Sequence, residues 1–228
     1  MKKKVALTAA AVALVGTLAV GGTLAWFTDT EEATNVVTVG DIDVKLSEVG
    51  EGTPSQAGTG LEYTNLMPGK TFTKDAYVEN VGTNDAYVKA IITLEAKDDN
   101  SKKLITDMKE STTNKITFTD LAPNGVWTYD ETAGTATYTV WYNGTTTPEV
   151  FGTDDEAWHL FTSVVIPEGW DNSYENVGFD IKINVEAIQA DNITARDAAS
   201  KLADAKTAAE GNLDKNKSND ATGSATKN

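Results

Sequence analysis

The sequence predicts an all-β protein, a β-sandwich of jelly-roll or immunoglobulin-like topology with a short helical insertion and a partly helical, disordered C-terminal tail. Short runs of alternating apolar and polar residues are separated by turn residues, and no strand–helix alternation of the α/β kind is present. A period of two is typical of a strand with one buried face. The clearest example is 177–188, where Phe179, Ile181 and Ile183 share a face.

Each element is predicted from its own pattern. Residues 50–60 are rich in Gly, Ser and Thr and predict a flexible connection, and residues 130–135 predict a hairpin turn. Apolar residues spaced by three and four within 101–111 predict a short helix. The predicted strands are 36–39 leading into 42–46, then 72–79, 87–95, 115–119, 126–129, 136–142, 160–166 and 177–188.

The N-terminus has the pattern of an export signal. Three lysines within Met1–Lys4 precede an uncharged run from Val5 to Phe27, and small residues precede a cut between Ala25 and Trp26. The run is also long enough for a retained membrane anchor. The Gly21–Gly22 break and the cleavage pattern favour removal. Cleavage takes away three lysines and changes the formal net charge from −15 to −18.

The sequence divides into four predicted parts. Residues 1–25 are the signal peptide, 26–38 an N-terminal segment, 39–193 the sandwich domain and 194–228 a polar tail. The tail opens with Thr194-x-x-Asp197, a capping-box pattern that predicts a helix start. Residues 211–228 contain almost no apolar side chain, which is typical of disorder.

Composition excludes several functions. A chain with 34 acidic and 19 basic residues repels phosphate backbones, so nucleic-acid binding is not expected. The chain has no Cys and a single His, His159, so multi-His and Cys-ligated zinc sites are excluded within one chain. No nucleophile elbow or phosphate loop is present. We therefore expect no catalytic residue, no cofactor-binding residue and no metal ligand, and we interpret His159 as a surface or edge residue.

Two weaker patterns leave alternatives open. The acidic pairs and triplet at 41/43, 98–99 and 154–156 could bind calcium weakly, although none matches a calcium-loop motif; solvated loops are the simpler interpretation. The aromatic residues could stack on carbohydrate, but packing in the sheet core is more common. These residues are Trp127, Tyr129, Tyr138, Trp141, Tyr142, Trp158 and Trp170.

Several segments in order resemble the TasA/camelysin family of exported bacterial proteins. The segment 21–29 is similar to the family's signal end and mature start, and 177–190 is similar to its closing strand. Between them lie the similar segments Val39-Gly40-Asp41-Ile42-Asp43-Val44, the turn in 65–74 with Met67-Pro68-Gly69-Lys70, and the join 79–88 with Asn80-Val81-Gly82.

The resemblance implies a secreted structural protein that forms extracellular biofilm-matrix fibres. In such fibres the mature N-terminal segment of one subunit adds a strand to the next, here a donor of residues 26–38 with Trp26, Phe27, Val36 and Val37 as apolar anchors. The implied partners are further copies of the chain, a signal peptidase and an accessory matrix protein, with no membrane contact after cleavage. Camelysin-like members carry a metallopeptidase label, which makes a cell-surface peptidase the first alternative. A monomeric surface-binding module is the second.

Overall fold

The computed structural model describes residues 27–28, 42–54, 61–63, 67–144 and 147–204. Their strands form one seven-stranded and one four-stranded sheet, which confirms the predicted all-β sandwich. The strands are β1 Phe27–Thr28, β2 Val44–Gly50, β3 Thr53–Pro54, β4 Leu61–Tyr63, β5 Thr71–Asn80, β6 Ala86–Ala96, β7 Thr117–Thr119, β8 Val126–Asp130, β9 Thr135–Trp141, β10 Trp158–Val165 and β11 Phe179–Gln189.

The seven-stranded sheet has the order β3-β4-β1-β11-β6-β9-β8. Its centre is the antiparallel pair of β6 and β11, which match residue for residue from Phe179 opposite Ala96 to Gln189 opposite Ala86. The predicted inward face of β11 is buried, with Phe179 and Ile183 each 1 % exposed. The sheet is antiparallel except between β1 and β11, which run parallel.

The four-stranded sheet has the order β2-β5-β10-β7 and is antiparallel throughout. Its inward residues, among them Phe72, Val78 and Phe161, join those of the larger sheet in one core. Several strand boundaries differ from the sequence prediction, and those of β2 differ most. β2 begins at Val44 because the carbonyl of Asp43 instead accepts from the backbone of Val81 and Gly82, and it extends to Gly50 because β5 pairs along it.

Two α-helices and two 3-10 turns complete the described structure, and the later of these turns is Asn172–Tyr174. The predicted helical insertion is α1, Lys103–Glu110, preceded by a 3-10 turn at Asn100–Lys102; its apolar side chains Leu104, Ile105 and Met108 enter the core. The second helix, α2 (195–204), begins at the predicted capping box, where Thr194 Oγ1 accepts from the backbone N–H of Asp197 at 3.3 Å.

Helix α2 covers the outer face of the seven-stranded sheet. Ala198 and Leu202 form a second, smaller apolar cluster with Tyr87 and Ile188 of the sheet. The Tyr87 hydroxyl also donates to the carbonyl of Ile193, just before the helix. The predicted disorder beyond 211 lies outside the described residues.

Candidate functional site

The first strand lies inside the larger sheet, between β4 and β11. Phe27 pairs in parallel with Phe179 of β11 and antiparallel with Tyr63 of β4, and Thr28 is opposite Glu62. A position between two strands means that the backbone of β1 is bonded on both sides. Within the described residues, β1 is the link through which the β3–β4 hairpin joins the rest of the sheet.

The slot occupied by β1 is therefore a candidate strand-acceptor site. One side of the slot is formed by β11, which has eleven residues. The first of them, Phe179, pairs with Phe27 of β1. The proposed donor anchors Trp26, Val36 and Val37 lie outside the described residues, as does Ala25 at the predicted cut. Phe27 is described in its backbone pairing, and the partner in this structure is the same chain.

A buried ion pair lies between β2 and β5 of the smaller sheet. Lys74 Nζ is 2.6 Å from Glu48 Oε1, and both side chains are removed from solvent. Lys74 shares the inward face of β5 with Phe72, Ala76 and Val78. Burial lowers the pKa of Lys74 to about 7, because an ammonium group loses its hydration there. The pair is not among the residues predicted from the sequence, although a lysine within the apolar alternation of β5 is a visible signal.

His159 lies on the outer surface of the smaller sheet, as predicted. Its Nδ1 is 2.7 Å from Asp75 Oδ1, and its ring is 5.4 Å from that of Tyr77. The side chain is 49 % exposed. Asp75 and Tyr77 alternate on the outward face of β5, which brings both beside His159 of β10. A histidine–carboxylate pair can move a proton or supply two metal ligands, but catalysis needs further groups.

The acidic clusters at 98–99 and 154–156 act in turns rather than converging, and Asp41 of the third cluster lies outside the described residues. Asp98 Oδ1 accepts from the backbone N–H of Ser101 at 2.8 Å, and Asp155 Oδ2 accepts from Gly152 N–H at 2.7 Å. Asp99 pairs with Lys102 at 2.8 Å, and that contact lowers its pKa. Across the described ranges, no three His, Cys, Asp or Glu side chains come together in a group that could hold a metal ion.

Most of the aromatic residues pack in the core, as the simpler interpretation predicts. Tyr138, Trp158 and Trp170 are buried, and the partly buried Tyr142 packs against Trp158. Trp141 differs, since it belongs to the small cluster beneath α2. Trp127 and Tyr129 are half-buried and stack at 6.1 Å along one side of β8, where they line an apolar cleft.

Fold and site together define a two-sheet β protein whose first described strand is inserted into its own larger sheet. A family model described as camelysin metallo-endopeptidase matches residues 1–123. The chain therefore belongs to the camelysin family, in agreement with the resemblance noted from the sequence. No curated protein matches the chain. No helix in the described ranges has both the length and the apolar character needed to cross a membrane.

The family description implies a catalytic metal, and the residues that the structure describes do not fit one. The matched residues 1–123 contain no His and no Cys, because the single His is His159. Catalytic zinc in peptidases takes imidazole and carboxylate ligands in a convergent set. His159 has one carboxylate partner, Asp75, and no third ligand joins them within the described structure.

Proposed function

We propose that the chain is an exported structural subunit that assembles head to tail, with the N-terminal arm of one copy filling the β1 slot of the next. The observation that carries this proposal is the interior position of β1: a strand contributed by the chain's beginning joins an outer hairpin to the main sheet. The same slot, filled by a neighbour's arm, would satisfy the same backbone groups.

The register agrees with the proposed length of the arm. Phe27 lies opposite Phe179, and β11 continues for ten residues to Gln189. A donor that kept this parallel register would reach Val37 at the end of β11, close to the predicted end of the arm at residue 38. Val36 and Val37 then provide apolar residues at the far end, and Phe27 provides one at the near end.

Such a contact is heterologous, since arm and slot are different surfaces of the molecule. A heterologous contact that does not close produces a filament. The predicted cut between Ala25 and Trp26 frees the arm, so processing by a signal peptidase would license assembly outside the cell. The formal charge of the mature chain keeps unassembled subunits soluble.

The direct test is deletion of the arm. Mature protein lacking Trp26–Asn35 should form no filaments in electron micrographs, whereas deletion of the last ten residues, 219–228, should leave them intact. A synthetic peptide of residues 26–38 in excess should shorten the filaments because it competes for the slot. Filaments of normal length from the arm-deleted protein would refute the proposal.

The alternative function is a surface metallopeptidase, which the family description favours. The poor fit between this chain's residues and a zinc ligand set argues against it. A peptidase assay of the secreted protein, with and without a chelator, distinguishes the two functions. Chelator-sensitive cleavage that persists in a His159→Ala variant would show a metal site that does not use His159.

A monomeric binding module is the second alternative. Size-exclusion chromatography of the mature chain at rising concentration separates it from a subunit that assembles. A single elution volume at every concentration would favour the module.

A further inference from the structure

The four edge strands of the sandwich differ in how they are protected against pairing with another chain. Natural edges are kept apart by shortness, proline, lysine or inward-pointing charge. β3 has two residues and contains Pro54, β7 has three residues, and β2 carries exposed Lys45 and buried Glu48. These three edges each carry at least one such device.

Edge strand β8 carries none of them over its first four residues. It reads Val-Trp-Thr-Tyr-Asp, pairs with β9 along its whole length, and ends the sheet on its other side within the described residues. Val126 is 64 % exposed, and Thr128 is exposed as well. Asp130, at the end of the strand, is its one charged residue.

Two rows of the outer face beside this edge are uncharged, and the row after them contains Asp130 and Glu95. Register places Val126 beside Thr139 and Ile91, and Thr128 beside Thr137 and Thr93, so two rows across three strands are built of β-branched residues. On a chain whose formal net charge is −15, such a face is where a second copy meets least repulsion.

The inner side of β8 borders an apolar cleft of about 230 Å³. Trp127 and Tyr129 line it from β8, and Phe118 lies 6.0 Å from Trp127 across it. The remaining walls are Met108, Lys115, Ile116, Thr117 and Leu121. A strand added at β8 would extend the side of the cleft that Trp127 and Tyr129 form.

We propose that β8 pairs with β8 of a second copy, antiparallel and about a two-fold axis at Thr128. The strand is self-complementary in that register. Thr128 lies opposite its own copy, Trp127 lies opposite Tyr129 of the other chain, and Val126 lies opposite Asp130. Each aromatic residue gains an aromatic partner on the cleft side, which is a favourable cross-strand pair.

This pairing is independent of the arm and the β1 slot. The contact is isologous, so it closes after two copies. A monomer would become a dimer, and a filament assembled through the arm would become a pair of filaments. Because both partners are acidic, the dimer should strengthen as added salt screens their repulsion.

The two-fold axis gives a charge-swap test at position 128. Thr128→Lys alone and Thr128→Glu alone each place like charges opposite one another, and the dimer dissociation constant should rise about tenfold. An equimolar mixture of the two variants should recover the dimer, because Lys then faces Glu. The matched control is Thr71→Lys and Thr71→Glu, an exposed threonine on interior strand β5, which should leave association unchanged.

Sedimentation velocity measures this for soluble protein, and mass per unit length in electron microscopy measures it for filaments. The proposal predicts doubling in the parent protein, loss of doubling in each single variant and recovery in the mixture. It is overturned if the parent shows no doubled species, if either single variant associates as the parent does, or if the mixture fails to recover. Filament formation itself reports on the arm, and it should be the same in all these variants.

Discussion

The two lateral sides of the sandwich end in opposite chemistry. On the side of β2 the edge contains an ion pair, Lys74 with Glu48, inside the protein. On the side of β8 the edge is closed by aromatic packing, with Tyr138 and Trp127 rings 5.1 Å apart and Phe118 beyond. The two sides of one sandwich are therefore stabilised by different interactions. A buried ion pair stabilises the β2 side, whereas aromatic packing and a few hydrogen bonds stabilise the β8 side.

Of the changes considered, breaking the ion pair on the β2 side should lower the free energy of unfolding most. Lys74→Met should lower the free energy of unfolding by about 3–5 kcal/mol, because it leaves the Glu48 carboxylate buried without its ammonium partner. Urea unfolding followed by circular dichroism measures the loss. The double variant Lys74→Met, Glu48→Leu should recover most of it, since it removes both charges. Equal losses in the single and double variants would contradict this account.

On the β8 side the hydroxyl of Tyr138 makes two hydrogen bonds to the backbone. It donates to the carbonyl of Ala122 at 2.6 Å and accepts from the N–H of Gly125 at 2.9 Å, which fixes the loop leading into β8. Tyr138→Phe should lower the free energy of unfolding by about 1–3 kcal/mol, because the buried carbonyl of Ala122 and the partly buried N–H of Gly125 lose this partner.

Tyr129→Phe is the matched control for that variant. It keeps an aromatic ring on β8 and removes a half-buried hydroxyl, and the change should stay within about 0.5 kcal/mol. Urea midpoints for the two variants give the comparison. Equal midpoints would show that the loop does not depend on the Tyr138 hydroxyl.

Near α1, the stability of the fold should depend on pH through Tyr174. Tyr174 stacks on Trp170 at 4.7 Å and donates to Asp107 Oδ2 at 2.7 Å; burial first, and then Asp107, raises its pKa to about 12. The folded state therefore holds its phenolic proton more tightly than the unfolded state does. This contribution is complete below pH 10 and is lost as the pH rises to about 12.

Unfolding midpoints of the parent protein should therefore fall between pH 10 and 12, and Tyr174→Phe should reduce that fall. Burial also raises the pKa of Tyr129, Tyr138 and Tyr142, so part of the slope should remain in the variant. An identical alkaline slope in parent and variant would count against a role for Tyr174.

The smallest effect is expected at the exposed ion pair near β8. Lys109 Nζ lies 2.5 Å from Glu131 Oε1, and this contact lowers the pKa of Glu131. Glu131→Gln should leave the urea midpoint nearly unchanged, and the difference should shrink further in high salt, because water already screens exposed charges. A loss as large as that of Lys74→Met would remove the contrast between the two sides.

Local patterns predicted the elements well. Alternation gave β5, β6, β9 and β11 within one or two residues, and the spacing of Leu104, Ile105 and Met108 gave α1. The Thr194–Asp197 capping box gave the start of α2. Each of these signals is carried by neighbouring residues, so one sequence is sufficient to find it.

What the sequence could not supply is pairing between distant segments. The insertion of β1 between β4 and β11, the meeting of His159 with Asp75 and the cleft between β7 and β8 all depend on contacts between segments far apart in the chain. Alternation has the same period in any sheet order, so it cannot select one. Lys74 is an intermediate case. The sequence shows that it lies at an inward position of β5 among apolar residues, but it does not show that Glu48 is its partner.

The place of β11 has a consequence for how the chain is made. β11 is the last of the described strands to be synthesised, yet it lies inside the larger sheet between β6 and β1. A ribosome-bound chain that has not reached Phe179 lacks the strand with which β1 pairs in parallel. The larger sheet therefore cannot be completed until the chain has been synthesised as far as β11.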